Sequence, residues 1–185
     1  MDKSESGKNR LRQITRTGVL VALLVTLQWA TAGSQIFAGQ YITGTLVNCV
    51  LSISALMGGL WCGVAVGLVS PFAAFLLGIG PKLVQIVPCI AIANCVYVVI
   101  LNLLLYGKKS AFYMQLLWVL TASLAKFVFL YTLVLKVVIP IMQDSLKQQQ
   151  IKTFSVMFSW PQLITAFLGG FLAILLYPLL RKAVK

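Results

Sequence analysis

The chain of 185 residues has no histidine and three acids, Asp2, Glu5 and Asp144. Carboxylate dyads, His-centred triads and most metal sites therefore lack their parts, and neither enzymatic chemistry nor a bound metal or cofactor is expected. Its four cysteines, Cys49, Cys62, Cys89 and Cys95, form no Cys-x-x-Cys pair and read as small apolar packing residues. A Gly-x-x-x-x-Gly-Lys phosphate loop is also missing, so energy for any transport has to come from an ion gradient or another subunit. Charge is scarce: 10% of residues, against about 25% in soluble domains.

What is abundant is apolar surface, 60% of the residues, which makes this an integral membrane protein. The net charge of +12 would suggest nucleic acid in a soluble protein. Here the cations mostly flank apolar runs, where they set orientation. A helix needs about 20 apolar residues to cross roughly 30 Å of hydrocarbon. Runs of that kind predict an all-α bundle of six transmembrane helices. The first covers 14–33. The second and third share the block 43–78, split near Gly58, Gly59 and Gly63. The fourth covers 83–106, the fifth 112–139 and the sixth 158–180. The whole chain, 1–185, reads as one transmembrane domain with a basic segment at 1–13 and a polar outer loop at 143–157.

Cations in short loops are retained in the cytoplasm. With six spans, Lys3, Lys8, Arg10, Arg12, Arg16, Lys108, Lys109, Arg181, Lys182 and Lys185 share one side, and Lys82, Lys147 and Lys152 the other. Both termini are thus expected in the cytoplasm. The apolar run 19–27 followed by Ala30-Thr31-Ala32 also has the pattern of a cleavable signal; retention of the first helix is the preferred reading.

A charge at the middle of a span costs about 3 kcal/mol on insertion scales and usually faces a cavity or a partner. Lys126 lies about fourteen residues from either end of the fifth span, roughly 20 Å along a helix and too far for easy snorkelling. No acid lies in any expected span. The ammonium must therefore find carbonyls, amides, water or an anionic ligand. Lys136, near the outer end, can snorkel and gets no functional role.

Several amides sit in the outer half at depths that bring them toward Lys126: Asn48, Gln162, Gln85 and Gln28, with Asn94 deeper. Together with one cation they suit a small planar or amide-bearing molecule with an acidic group. The alternative is interhelical bonding with no ligand. Trp29, Tyr41, Trp160 and Tyr131 could stack on such a ligand, or form the aromatic belt found at membrane interfaces. The uncharged segment 33–44 could fold over the pocket as a lid or be an ordinary connection. On the first helix Gly18, Ala22, Thr26 and Ala30 recur every four residues, a small-residue face that lets another helix approach. Gly59, Gly63 and Gly67, and Gly169, Gly170 and Ala173, are further small patches read as internal packing.

The strings Arg16-Thr-Gly-Val-Leu-Val-Ala22, Thr43-Gly-Thr-Leu-Val-Asn48, Ser70-Pro-Phe-Ala-Ala-Phe-Leu-Leu-Gly78, Ala93-Asn94, Ala125-Lys126-Phe127 and Ser159-Trp-Pro-Gln162 run through the whole chain. With the six expected spans they resemble the substrate-binding S component of an energy-coupling factor (ECF) transporter. That resemblance implies a vitamin or related micronutrient captured from outside, in the cell membrane of a prokaryote. It also implies delivery by toppling in association with a transmembrane coupling subunit and two cytoplasmic ATPases. The family's Ala-x-x-x-Ala docking motif in the first helix corresponds here to Gly18-x-x-x-Ala22, with Thr26 on the same face. The resemblance implies a pocket in the outer half, which agrees with the substrate residues chosen by depth and polarity: Lys126, Asn94, Asn48, Gln162, Gln85, Trp160, Gln28 and Tyr131. Two other readings remain open: a membrane scaffold whose polar residues only bond helices together, and an ion-driven carrier, which lacks the carboxylates or histidines to relay a coupling ion.

Overall fold

Backbone polar groups in hydrocarbon have to be satisfied within the segment, so apolar runs of this length fold as helices. In a computed structural model the described residues are 3–31, 37–79, 83–108 and 110–183, and helix is their only regular structure. The helices are α1 (Lys3–Thr31), α2 (Phe37–Ile53), α3 (Gly59–Leu76), α4 (Ile86–Leu105), α5 (Phe112–Tyr131), α6 (Ile139–Met142), α7 (Gln148–Met157) and α8 (Trp160–Ala183).

Five helical stretches among the described residues are long and apolar enough to cross a bilayer, not the six expected. The difference lies in 40–76, where the second and third expected spans form one stretch of 37 residues. A π-turn at Ser54–Gly58 joins α2 to α3, and Gly59 adopts φ +79°, a backbone that side chains with a Cβ disfavour. The two limbs meet α1 in opposite senses. Thr43 Oγ1 donates to Thr31 Oγ1 (2.8 Å), Arg16 reaches the Met57 carbonyl (3.5 Å), and Gln28 reaches Ser70 (3.4 Å). Widening of the helix at the π-turn frees the Ala55 carbonyl, which accepts from Asn102 Nδ2 at 2.9 Å.

The fifth expected span, 112–139, is matched by α5 and a π-helical segment, Thr132–Val138, that runs into α6. One further expectation changes. The polar loop at 143–157 is largely helix: after a 3-10 turn at Gln143–Ser145, α7 begins where the Lys147 N–H donates to Gln150 Oε1 (3.0 Å). Its polar composition hides a helical period, since Ile151, Phe154 and Phe158 pack beside Ile86, Leu130, Val134 and Ile139. Of the segment 33–44, read as a lid or an ordinary connection, residues 33–36 lie outside the described ones, and the chain is helical from Phe37.

The main core joins Leu24 of α1, Leu51 of α2, Val66 of α3, Tyr97 and Leu101 of α4, Val119 and Ala122 of α5 and Ala166 of α8. α2 and α8 make the most extensive helix pair. Gly169 allows their close approach, because a Cβ there would stand 2.6 Å from Asn48 Cβ and 2.7 Å from Cys49 N and Thr45 O. The glycine patches of α3 and α8 are therefore internal, as expected. Gly18, in contrast, has open space around it. Gly169→Ala is expected to force α2 and α8 apart and cost about 1–3 kcal/mol, lowering the thermal midpoint of the detergent-purified chain, while Gly18→Ala leaves it in place. Tryptophan-fluorescence melting checks this; equal midpoints for the two variants would count against the packing argument.

Candidate functional site

A cavity of about 650 Å³ lies among α1, α2, α3, α4, α5, α7 and α8, within the range of about 300–1,000 Å³ usual for small-molecule sites. Five of the expected site residues line it: Gln28, Asn48, Asn94, Lys126 and Gln162. They come from five different helices, so the site exists only in the folded bundle.

At the centre is Lys126, 3% exposed. Its Nζ donates to Asn48 Oδ1 at 2.5 Å and lies 5.3 Å from the centroid of the Tyr97 ring. The Asn48 amide is oriented for this bond. Its Nδ2 donates to the Gly44 carbonyl (2.8 Å), one turn back on α2, and to Thr165 Oγ1 (3.5 Å) on α8, which leaves Oδ1 to face the ammonium. An ammonium carries three donors, and no acid lines the cavity, so the charge is solvated by an amide oxygen and an aromatic face rather than neutralised.

Asn94 is placed by a helix defect in its neighbour. Pro71 inside α3 has no N–H, so the Gly67 carbonyl loses its intrahelical donor. Asn94 Nδ2 supplies one at 3.3 Å. A carbonyl can only accept, so this bond fixes which end of the amide is nitrogen, and Oδ1 is left buried without a partner among the described residues. Gln28 repeats the pattern: Nε2 donates to the Ser70 carbonyl and Oγ (both 3.4 Å), and Oε1 is buried and unpartnered among the described residues. Buried acceptors left unsatisfied cost about 1–3 kcal/mol each. The cavity wall thus holds a cation and two buried amide oxygens without partners among the described residues.

Gln162 lines the cavity but also ties the bundle together, because its Nε2 and that of Gln40 both donate to the Met157 carbonyl at the end of α7 (3.1 and 3.2 Å). These bonds seat α7 across the cavity, with Gln149, Lys152, Thr153 and Val156 facing it at helical spacing.

Gln85, Trp160 and Tyr131 do not line the cavity. Gln85 precedes the first residue of α4 and is exposed. Trp160 stands two residues, or about 200° of helix, from Gln162 and therefore faces outward. It is 67% exposed and stacks on Phe127 (centroids 5.8 Å apart), which also meets Tyr131 at 5.8 Å. Residues that sequence reasoning missed are Thr31, Gln40, Thr43, Ser70 and Thr165, together with the α7 face. Short hydroxyls and glutamines inside apolar helices carry weak signals, and the 149, 152, 153, 156 period was the one legible clue. On α1, Gly18, Ala22 and Thr26 are all exposed, on the side of the helix away from Leu24 and Gln28.

The family model described as the substrate-specific component of ECF transporters matches residues 12–181. No curated protein and no solved structure matches the chain.

Asn48→Leu strands the Lys126 charge and is expected to cost about 3 kcal/mol, whereas adding Lys126→Met removes the stranded charge and restores much of the loss. A double-mutant cycle on thermal midpoints measures this. Strictly additive losses would mean that the bond does not couple the two residues.

Proposed function

The chain belongs to the substrate-specific components of ECF transporters, and on that premise we propose that its cavity captures a small, water-soluble vitamin or related micronutrient bearing an acidic group. It is a multi-pass membrane transport protein and not an enzyme. The observation that carries the reading is the set of polar residues lining one cavity. Lys126 has donors to spare for a carboxylate or phosphate, and Gln28 Oε1 and Asn94 Oδ1 are acceptors unpaired among the described residues and buried in its wall, which a small side-chain rotation would turn toward the N–H or O–H groups of a heterocycle or amide. A scaffold that merely packs helices has no use for buried acceptors left without donors around a cavity of about 650 Å³.

In this reading the basic end of the bundle, with Arg16 and Arg181, faces the cytoplasm of a prokaryotic cell. The cavity, at the other end of α1, opens toward the outside beneath α7. The exposed Gly18, Ala22 and Thr26 face of α1 receives the transmembrane coupling subunit, since small side chains let a partner helix approach closely. That subunit and its two ATPases supply the energy for delivery inward. Gln28, Asn48, Asn94, Lys126 and Gln162 hold the substrate; Gln85, Trp160 and Tyr131 have no part in it.

Native mass spectrometry of the detergent-purified chain should reveal a co-purifying acidic small molecule. Lys126→Met should insert and fold but hold that molecule at least about tenfold more weakly, the equivalent of one lost charge-assisted hydrogen bond. Equal retention would remove Lys126 from the site. Ala22→Leu should keep the ligand and impair uptake in cells carrying the complete transporter; normal uptake would argue against α1 as the docking face.

A further inference from the structure

A second concavity, of about 300 Å³, lies at the opposite end of the bundle, lined by Arg16, Leu56, Met57, Tyr106, Tyr177 and Arg181 together with Gly107. Arg16 is twelve residues before Gln28 on α1, so the two cavities are separated by about 18 Å along that helix. The smaller one has no part in the substrate site.

Its chemistry is one-sided. Two guanidinium groups from opposite ends of the sequence converge on one hollow, and none of its lining residues is acidic. Arg16 makes one long contact, to the Met57 carbonyl at 3.5 Å, and Arg181 donates to no described residue. Each guanidinium carries five donors, so most of the ten point at nothing in the protein. Tyr106 lies against Gly59, with its hydroxyl 3.6 Å from where a Cβ would be, and Tyr177 adds a second phenol to the lining. Like charges held side by side repel unless an anion stands between them, and a paired-arginine fork fits the oxygens of a phosphate.

The surroundings suggest where that phosphate comes from. The hollow lies where apolar helices give way to the basic ends of the chain, beside Arg12, Lys108 and Lys182 in sequence. Within four residues of its lining in sequence are Leu60 and Trp61 of α3 and Leu179 of α8, which are 36%, 79% and 64% exposed. A cationic pocket between transmembrane helices with apolar flanks is the arrangement that takes a lipid headgroup while its acyl chains run along the protein.

We propose that this hollow binds the phosphate of an anionic phospholipid, clamped between Arg16 and Arg181 with Tyr106 and Tyr177 as further donors, its acyl chains lying over Leu60, Trp61 and Leu179. The site is independent of the substrate cavity and of whatever that cavity holds.

The test uses the full chain in neutral detergent, titrated separately with phosphatidylglycerol, phosphatidylcholine and inorganic phosphate, and read by native mass spectrometry and thermal midpoint. Phosphatidylglycerol should be retained as a discrete adduct and raise the midpoint, with phosphatidylcholine and inorganic phosphate doing neither. Arg16→Gln with Arg181→Gln should weaken retention at least about tenfold, and Arg12→Gln with Lys182→Gln less than about twofold. Should the Gln pair fail to fold, Arg16→Lys with Arg181→Lys keeps the charge and loses the fork, and should weaken retention by about threefold. Equal retention of phosphatidylcholine, or equal losses in the two Gln pairs, would reduce the site to non-specific adhesion and overturn the proposal. Displacement of the lipid by millimolar inorganic phosphate would overturn its lipid source.

Discussion

An ammonium buried among apolar helices has to be solvated by the protein, and here one hydrogen bond, Lys126 Nζ to Asn48 Oδ1, does most of that. The bond joins α5 to α2, and it forms only because α2 lies close against α8. Gly169 sits opposite Asn48 Cβ with no room for even a methyl group, so the deepest polar contact of the site depends on a residue with no side chain. Thr165, one turn earlier on α8, then holds the amide so that its oxygen faces Lys126. Helix packing and site electrostatics are thus the same constraint seen from two sides.

The residues next to Lys126 are tightly packed. Beside Lys126, the Tyr97 hydroxyl donates to the Ala166 carbonyl (2.9 Å) and pairs with Ser52 Oγ (2.9 Å), and around it Val66, Val119 and Ala122 are fully packed. Gly170 brings Val119 and Tyr97 against α8 so closely that a Cβ there would lie 2.5 Å from one and 2.7 Å from the other. Interiors packed to this density do not open by small rotamer changes. Close packing of this kind resists local opening beside Lys126.

Much of this was legible in the sequence, for reasons specific to each residue. Lys126 stood out because a central charge in an apolar run has few explanations, and Asn48, Asn94, Gln28 and Gln162 because amides are rare at that depth. What depth could not supply was azimuth. Trp160 and Gln162 have nearly the same depth yet face opposite sides of α8, and Tyr131 falls on a different face from Lys126. The count of spans differs at Gly58 and Gly59, where the small-residue cluster suggests a break but the chain passes through a π-turn within one continuous helical stretch. α7 was read as a loop because Gln148, Gln149 and Gln150 mask an apolar face of three residues. The partnership of Pro71, Gly67 and Asn94 was beyond a linear reading, since it needs a missing N–H on one helix to meet an amide on another.

α1 connects the parts. Over about 18 Å it carries Arg16 at the basic hollow, the exposed Gly18, Ala22 and Thr26 face, and Gln28 in the larger cavity. Most of its surface is free of the bundle, and its contacts with the chain run along a single stripe through Leu20, Leu24 and Gln28. If both proposed sites are filled, a force applied to the exposed face acts on a lever whose two ends hold different ligands. A phosphate held at the Arg16 end ties that end to the headgroup layer, and it resists any tilt that would carry the hollow into hydrocarbon, where each guanidinium without an anion costs several kcal/mol. On that proposal the resting orientation would be set by the lipid at one end of α1, and the docking of a partner on the small-residue face would have to outweigh that hold.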